Sequence, residues 1–173
     1  MSHLDQMADY LFELFEKEGP IDGILGFSQG AICYHRFYRY ITALNPEPYR
    51  KKTGLPKFYI SIGSIVSRNF ELKHGNKSFP IPQEPFLDFP SCHLKGTEDP
   101  LFKLMTTEEL FHKHSNPVVI NYHEGHKVPR SLEDPEFSKF RQFLKTQWLQ
   151  KYPSEAEHFE SNVPYRFDPL PRL

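Results

Sequence analysis

Cysteine is scarce in this sequence: the 173 residues include only Cys33 and Cys92. Two cysteines do not make a disulfide framework, and each stands in an apolar segment, which predicts buried, reduced thiols in a cytoplasmic protein. No run approaches the roughly 18 apolar residues that a membrane-spanning helix needs. The N-terminus also lacks the basic and then apolar segments of a secretory signal. We therefore expect neither a disulfide-stabilised secreted domain nor a membrane span.

Neither sign of charge is in excess. Lys and Arg number 21 and Asp and Glu number 22, for a net charge of −1. Nucleic-acid-binding domains usually carry a basic excess or a basic stripe, so nucleic acid is not an expected partner. The hydrophobic fraction of 38% excludes a disordered chain and favours a globular one.

Short apolar segments alternate with amphipathic patterns of helical spacing. Strands are predicted at 21–27, 58–63, 91–96 and 118–122, and helices at 2–18, 29–44 and from Pro135 onward, the last with an apolar stripe of Phe137, Phe140, Leu144 and Trp148. This alternation predicts an α/β fold with a mostly parallel sheet flanked by helices.

The segments between these elements carry weaker patterns. Residues 68–90 are polar and proline-rich, and we predict a long loop that either acts as a lid over an acyl pocket or is a disordered insertion. Thr106 and Glu109 have the spacing of a capping box, which predicts a short helix ending at His114, with His112 and His114 on the solvated surface. Helical periodicity ends at residue 152. We predict one domain over 1–151 and an extended tail over 152–173.

The strongest motif is Gly26-Phe27-Ser28-Gln29-Gly30, which fits G-x-S-x-G and lies between a predicted strand and a predicted helix. This is the context of a nucleophile elbow, in which a strained turn lifts the serine hydroxyl above the sheet edge. We expect Gly26 and Gly30 to let strand and helix approach closely. The backbone N–H of Gln29 would then face a developing oxyanion. The alternative is a tight turn with an idle serine.

A nucleophilic serine needs a base and an orienting acid, which in this arrangement follow in the order acid and then histidine. Asp99 follows the third predicted strand and His126 follows the fourth, so both would lie at the edge of the sheet that carries Ser28. Glu98 and His123 are the competing acid and base. These two histidines lack the H-E-x-x-H spacing of a zinc site, so no metal is expected.

Three segments together, 26–31, 96–100 and 125–130, resemble the FSH family of serine hydrolases, which are α/β-hydrolases. The resemblance covers roughly residues 5–150. It implies Ser28 as nucleophile, Asp99 as acid and His126 as base. The expected substrate is a small-molecule carboxylic ester or thioester, and because water resolves the acyl-enzyme no cofactor is expected.

The sequence departs from the family pattern at two places. Glu124 alone separates His123 from the Gly125-His126 pair, where the family usually has two residues, and this could move the loop of the base. The family's leading strand, with a Leu-His-Gly loop that supplies a second oxyanion donor, has no counterpart ahead of the first helix. We therefore expect an N-terminally shortened α/β-hydrolase fold.

The missing strand has two expected consequences. The strand at 21–27 becomes an exposed edge that could pair with another chain in a homodimer. The loss of one oxyanion donor typically costs about 2.7–4 kcal/mol of transition-state stabilisation. The alternative function is therefore a weakly active or non-catalytic hydrolase remnant that serves as a binding domain.

Overall fold

Strands and helices alternate along the chain, as the sequence pattern predicts. The protein was analysed as a computed structural model that describes residues 3–44, 56–64, 72–74, 77–79, 89–101, 114–130 and 135–155. The elements are α1 His3–Glu18, β1 Gly23–Phe27, α2 Gln29–Leu44, β2 Phe58–Ile62, β3 Leu72–His74, β4 Lys77–Phe79, β5 Ser91–Gly96, β6 Val118–Tyr122 and α3 Ser138–Lys151. Short 3-10 turns at Pro135–Phe137 and Pro153–Glu155 flank α3.

The main sheet has the strand order β1-β2-β5-β6, and all of its strand pairs are parallel. In a parallel sheet the carboxyl ends of the strands meet at one edge, so the segments that follow these four strands are brought together there. β1 stands at the end of this order. Within the described part of the chain, its second side is unpaired, which is the edge position expected from the sequence.

Each face of the sheet is covered by helices with an apolar cluster beneath them. The cluster under α1 and α2 contains Phe15, Ala31, Tyr34, Phe37 and Tyr59. The cluster under α3 contains Ile60, Ile62, Cys92, Leu94, Ile120, Tyr122, Phe137, Phe140 and Phe143. Residues alternate between faces along a strand, so β2 supplies Tyr59 to one cluster and Ile60 to the other. Helices on both faces explain why the central strands β2 and β5 are buried on both sides.

The apolar stripe predicted for α3 is wrong at its C-terminal end. Phe137 and Phe140 are buried and Leu144 is partly buried, but Trp148 is 42% exposed. Trp148 instead contacts the ring of Tyr152, with centroids 4.6 Å apart. Phe143, absent from the predicted stripe, is buried against the sheet. The physical reason is that the last turn of α3 contacts the 152–155 segment rather than the sheet. An apolar residue at helical spacing is therefore not buried there.

The prediction of an unbroken loop over 68–90 is wrong in part, because β3 and β4 lie within it. The two strands pair antiparallel, with Leu72 opposite Phe79 and His74 opposite Lys77. The residues between them are Gly75 and Asn76, a dipeptide typical of two-residue hairpins. The sequence thus contained a hairpin pattern that its proline content obscured. Most of the remaining segment lies outside the described residues, so the lid stays a prediction, as does the division at residue 151.

The prediction for His114 is also wrong. Its ring is buried, and it forms a β-bridge rather than the end of a helix. It lies parallel to the ring of Tyr59, with centroids 6.1 Å apart, and 4.4 Å from the ring of His93. The physical reason is that His114 lies four residues before the start of β6 and joins an aromatic cluster against the sheet. Residues 102–113, with His112 and the proposed capping box, lie outside the described residues.

His93 ties two strands together inside this cluster. Its Nδ1 lies 2.6 Å from the hydroxyl of Ser61 on β2, and its Nε2 lies 3.1 Å from the hydroxyl of Ser91. Burial, with smaller contributions from nearby His35 and Lys95, lowers the pKa of His93 to about 3. The imidazole is therefore neutral in the folded protein at ordinary pH, where it can both donate and accept.

Both cysteines are free thiols, but only one is buried as predicted. Cys92 is fully buried on β5, and burial raises the pKa of its thiol to about 12. Cys33 on α2 is only partly buried, which corrects the prediction for that residue. The cytoplasmic location expected from these residues stays a prediction. Among the helices that the structure describes, none has the length and apolar character needed to cross a membrane.

The turn from β1 into α2 depends on one of its two glycines. A Cβ on Gly26 would lie 2.6 Å from the Cα and 2.7 Å from the N of Ala31, so strand and helix backbones touch there as predicted. A Cβ on Gly30 would meet no described atom within 4 Å beyond its own helix and chain neighbours. The close approach expected at Gly30 is therefore wrong, because this residue faces outward from α2.

We expect Gly26→Ala to lower the free energy of unfolding by at least the roughly 1–3 kcal/mol typical of an overpacked site. The matched variant Gly30→Ala should retain stability or raise it by up to about 1 kcal/mol, because alanine favours a helix more than glycine does. Urea unfolding of both variants measures the difference. Equal stabilities would contradict the close contact between β1 and α2.

We also expect the protein to lose stability in acid because of His93. The unfolded chain binds a proton at this residue below pH 6.5, the ordinary histidine value, whereas the folded protein does so only near pH 3. Stability is therefore fully present above pH 6.5 and falls with pH between these values, by up to about 1.4 kcal/mol per pH unit for one proton. Urea unfolding at a series of pH values measures this slope.

The control for the acid effect separates titration from hydrogen bonding. His93→Gln removes the titrating group and should reduce the slope of unfolding free energy against pH by the contribution of one proton. Ser61→Ala removes a hydrogen-bond partner but keeps the imidazole, so it should lower stability while preserving the slope. An unchanged slope in His93→Gln would show that other groups cause the acid sensitivity.

Candidate active site

Ser28 occupies the turn between β1 and α2, in the strand–turn–helix context that the motif predicts. Its φ of 53° lies in the left-handed region, which is uncommon for a residue with a side chain and is often found where backbone strain serves function. Its N–H donates to the Ile62 carbonyl over 2.9 Å, and its own carbonyl accepts from the N–H of Ala31 over 3.2 Å. Bonds to β2 on one side and α2 on the other thus hold the turn.

Asp99 lies three residues after β5, at the edge of the sheet where Ser28 also lies. Its N–H donates to the Gly96 carbonyl over 3.1 Å, which closes a tight turn. Its Oδ1 accepts from the N–H of Leu101 over 2.8 Å. The side chain is only 3% exposed, so this carboxylate is held in one orientation, with Oδ2 directed away from the turn.

His126 connects the two other predicted residues. Its Nδ1 lies 2.7 Å from Oδ2 of Asp99, and its Nε2 lies 2.9 Å from Oγ of Ser28. A carboxylate can only accept, so in the neutral ring Nδ1 carries the proton and donates to Asp99. Nε2 is then an acceptor and receives the hydroxyl proton of Ser28. The structure therefore brings together the three side chains that the sequence placed after three different strands.

The loop that carries His126 is held by bonds to its own strand. The buried hydroxyl of Tyr122 donates to the Lys127 carbonyl over 2.5 Å. Burial raises the pKa of Tyr122 to about 12, with smaller contributions from Asp99 and Glu124, so the hydroxyl stays protonated and able to donate. This bond explains why the short spacing after His123 does not prevent His126 from reaching Ser28.

The turn that carries Asp99 and the loop that carries His126 are also joined to each other. The N–H of Thr97 donates to the Tyr122 carbonyl over 2.8 Å, and the N–H of Glu98 donates to the Glu124 carbonyl over 3.1 Å. Because these are backbone bonds, the distance between the two segments depends little on side-chain identity. The separation between Asp99 and His126 is thereby set by the ends of β5 and β6.

Glu98 and His123, the alternative candidates for acid and base, pair with each other at the surface. Nε2 of His123 lies 3.2 Å from Oε1 of Glu98, and both side chains are exposed. Nδ1 of His123 lies 3.3 Å from the hydroxyl of Thr97. Adjacent positions in a turn point in different directions, which is why Asp99 faces inward while Glu98 faces solvent.

Two further residues adjoin the site, and the sequence analysis assigned a role to neither. The ring of Phe27 lies 5.0 Å from the ring of His126, centroid to centroid. Gly63 follows β2 with a φ of 55°, and its Cα faces the His126 and Asp99 side chains. The position of Phe27 inside the motif and the position of Gly63 at a strand end were the available indications. Among the described residues, no group of three or more His, Cys, Asp or Glu side chains could hold a metal ion.

Residues 1–137 match the family model described as Serine hydrolase (FSH1). Esterase OVCA2 of Xenopus tropicalis is 32% identical to this chain over 145 residues, which cover 83% of this chain and 56% of that protein. Esterase FPY3 of Fusarium mangiferae is 31% identical over 131 residues, which cover 70% of this chain and 55% of that protein. The chain thus spans about half the length of the curated relatives it matches.

Among solved structures, the type II thioesterase BorB from the borrelidin biosynthetic cluster shows a partial likeness to this chain. The two chains share 14% identity, the alignment covers 90% of this chain and 70% of that one, and the TM-score is 0.47. From its parallel sheet flanked by helices and its match to the family model, the protein has an α/β-hydrolase fold, and the chain belongs to the FSH1 serine hydrolase family.

Proposed function

We propose that this protein hydrolyses small-molecule carboxylic esters or thioesters through an acyl-enzyme formed on Ser28. The observation that carries the proposal is the hydrogen-bonded series from Ser28 through His126 to Asp99. Both distances are within the range expected of a nucleophile, its base and an orienting acid. Family membership and the relatives named as esterases support the same reaction class.

In the proposed reaction, Oγ of Ser28 attacks the carbonyl carbon of the substrate while Nε2 of His126 takes its proton. The resulting tetrahedral intermediate expels the alcohol or thiol, which receives that proton from His126. Water then attacks the acyl-enzyme with His126 again as base, which releases the acid and restores Ser28. Asp99 keeps the imidazole in the required tautomer and stabilises its cationic form. The protein groups and water suffice, so the mechanism involves no cofactor.

The backbone N–H of Gln29 is the proposed oxyanion donor. Gln29 begins α2, and the first N–H groups of a helix have no partner within the helix. The helix dipole adds positive potential at the same end. The strained elbow at Ser28, with Gly26 in contact with Ala31, would hold the serine hydroxyl and this N–H on the same side of a bound carbonyl.

Labelling with a fluorophosphonate tests the nucleophile directly, because the probe forms a covalent bond with an activated serine. We expect the protein to be labelled on Ser28, and Ser28→Ala to abolish labelling. Asp99→Asn should slow turnover of a p-nitrophenyl ester by about 10⁴, as expected when the imidazole is left in the wrong tautomer. Exposed Ser154 provides the control, and Ser154→Ala should label like the unaltered protein. A folded protein that shows no Ser28-dependent labelling would overturn the proposed activity.

A second candidate function, association through β1, is favoured by the exposed edge of the sheet. Within the described residues, β1 pairs only with β2, and Leu25 on this strand is 58% exposed. Leu25 lies on the face that α3 covers elsewhere, because its register partner Ile60 belongs to the cluster under α3. An apolar strand with unpaired backbone groups is a template for another strand. The proposed occupant is β1 of a second copy of this chain.

Sedimentation over a range of protein concentrations tests this association. We expect a dimer, and Leu25→Lys should convert it to a monomer because a charge would stand on the paired edge. Tyr10 is equally exposed but lies on α1, so Tyr10→Lys should leave the dimer intact. A protein that stays monomeric at all concentrations would rule out self-association through β1.

A further inference from the structure

The strand that leads to Ser28 is not a neighbour of the two strands that lead to Asp99 and His126. Ser28 follows β1, Asp99 follows β5 and His126 follows β6, whereas β2 lies between the first two. With about 4.8 Å between adjacent strands, β1 and β6 are roughly 14 Å apart. The loop after β6 must therefore carry the imidazole of His126 over the ends of β5 and β2 to reach Ser28. Whatever residue follows β2 lies directly beside the contacts of this imidazole.

That residue is Gly63. A Cβ built on it would lie 3.2 Å from both Cε1 and Nδ1 of His126 and 3.3 Å from Oδ2 of Asp99. These distances are shorter than ordinary contacts of a methyl group, and two of the three atoms form the hydrogen bond between His126 and Asp99. The φ of 55° also places this residue in the left-handed region, where a side chain is disfavoured.

The backbone at this point is held on both sides. The N–H of Gly63 donates to the Leu94 carbonyl over 3.1 Å, on the strand that leads to the acid. The preceding carbonyl, of Ile62, accepts from the N–H of Ser28 over 2.9 Å. β2 therefore cannot shift to make room for a side chain at position 63 without moving Ser28 or β5. The imidazole is the group that would have to move.

We propose that Gly63 is a positioning residue, whose missing side chain lets the His126 imidazole lie across the end of β2 in contact with both Asp99 and Ser28. Its catalytic consequence rests on the function proposed above, but its structural consequence does not. Position 63 thus contributes to the functional site by leaving space for the imidazole and not by supplying a side chain.

The variant Gly63→Ala tests the proposal with two measurements. The proton shared between His126 and Asp99 should give a low-field resonance in the NMR spectrum, assigned by its absence in His126→Ala, and we expect Gly63→Ala to lose or displace it. Fluorophosphonate labelling should slow by up to about 10-fold, less than the roughly 100-fold that a 1 Å misplacement can cost, because contacts of 3.2–3.3 Å require a smaller shift of the imidazole. With a p-nitrophenyl ester, kcat should fall while KM changes little.

Two controls separate the added side chain from backbone strain. Gly63→Asn adds the same Cβ, but asparagine tolerates the left-handed region, so it should fold and still lose the resonance. Asn116 has a φ of 52° and lies ahead of β6, at the end opposite to His126. Asn116→Ala therefore places an alanine at a similar φ far from the site and should leave the resonance and the labelling rate unchanged.

The outcomes distinguish this proposal from the proposed function. An unaltered resonance and labelling rate in folded Gly63→Ala or Gly63→Asn would overturn it. A chain that folds only with glycine at position 63 would also overturn it, because the residue would then be a folding requirement. Wild-type protein that shows the resonance but no labelling would overturn the esterase activity. Loss of the resonance in the Gly63 variants would still support the positioning role.

Discussion

The parallel alignment of β1, β2, β5 and β6 is the constraint on which the rest of this structure depends. It brings the carboxyl ends of four strands to one edge, so side chains separated by as many as 98 residues in sequence come within hydrogen-bond distance. Parallel strands need crossover connections, and α2 forms part of the one from β1 to β2. It covers one face of the sheet together with α1, and α3, which follows β6, covers the other. The site and the core are therefore consequences of one arrangement.

Backbone hydrogen bonds convert this alignment into distances accurate enough for chemistry. Ser28 is bonded to the end of β2, Gly63 to β5, and Thr97 to the end of β6. Each bond joins neighbouring strand ends, so the chain of bonds runs across the sheet in the direction that the imidazole spans. Side chains that stand on such a frame need little further support. This explains how His126 remains in contact with Asp99 and Ser28 although its side chain is 33% exposed.

The face of the sheet under α1 and α2 combines apolar and polar groups. His93, Ser61 and Lys95 are buried there among aromatic rings. The hydrogen bonds of His93 join β2 to β5 through side chains, in addition to the backbone ladder between them. A buried imidazole that is neutral at ordinary pH and bonded on both nitrogens adds specificity to the strand pairing.

Local patterns in the sequence were enough to indicate the strands of the main sheet, the three long helices and the order of Ser28, Asp99 and His126, because alternation, turn residues and the G-x-S-x-G spacing are properties of adjacent residues. Such patterns do not distinguish Asp99 from Glu98 as the residue that contacts His126. That contact depends on the direction of each side chain in a turn that is held by hydrogen bonds to the end of β6. Burial at His114 and exposure at Trp148 were equally out of reach, because both depend on which distant element lies opposite.

Sequence by itself determined which residue types follow which strands, and hence that a serine, a carboxylate and a histidine would share one edge of the sheet. Only the tertiary structure decided that Asp99 rather than Glu98 meets His126 rather than His123. It also decided that no side chain stands beside this contact, at position 63. Gly63 shows the reason. Its importance comes from the space between two loops that follow other strands, and no pattern along a single segment records a space of that kind.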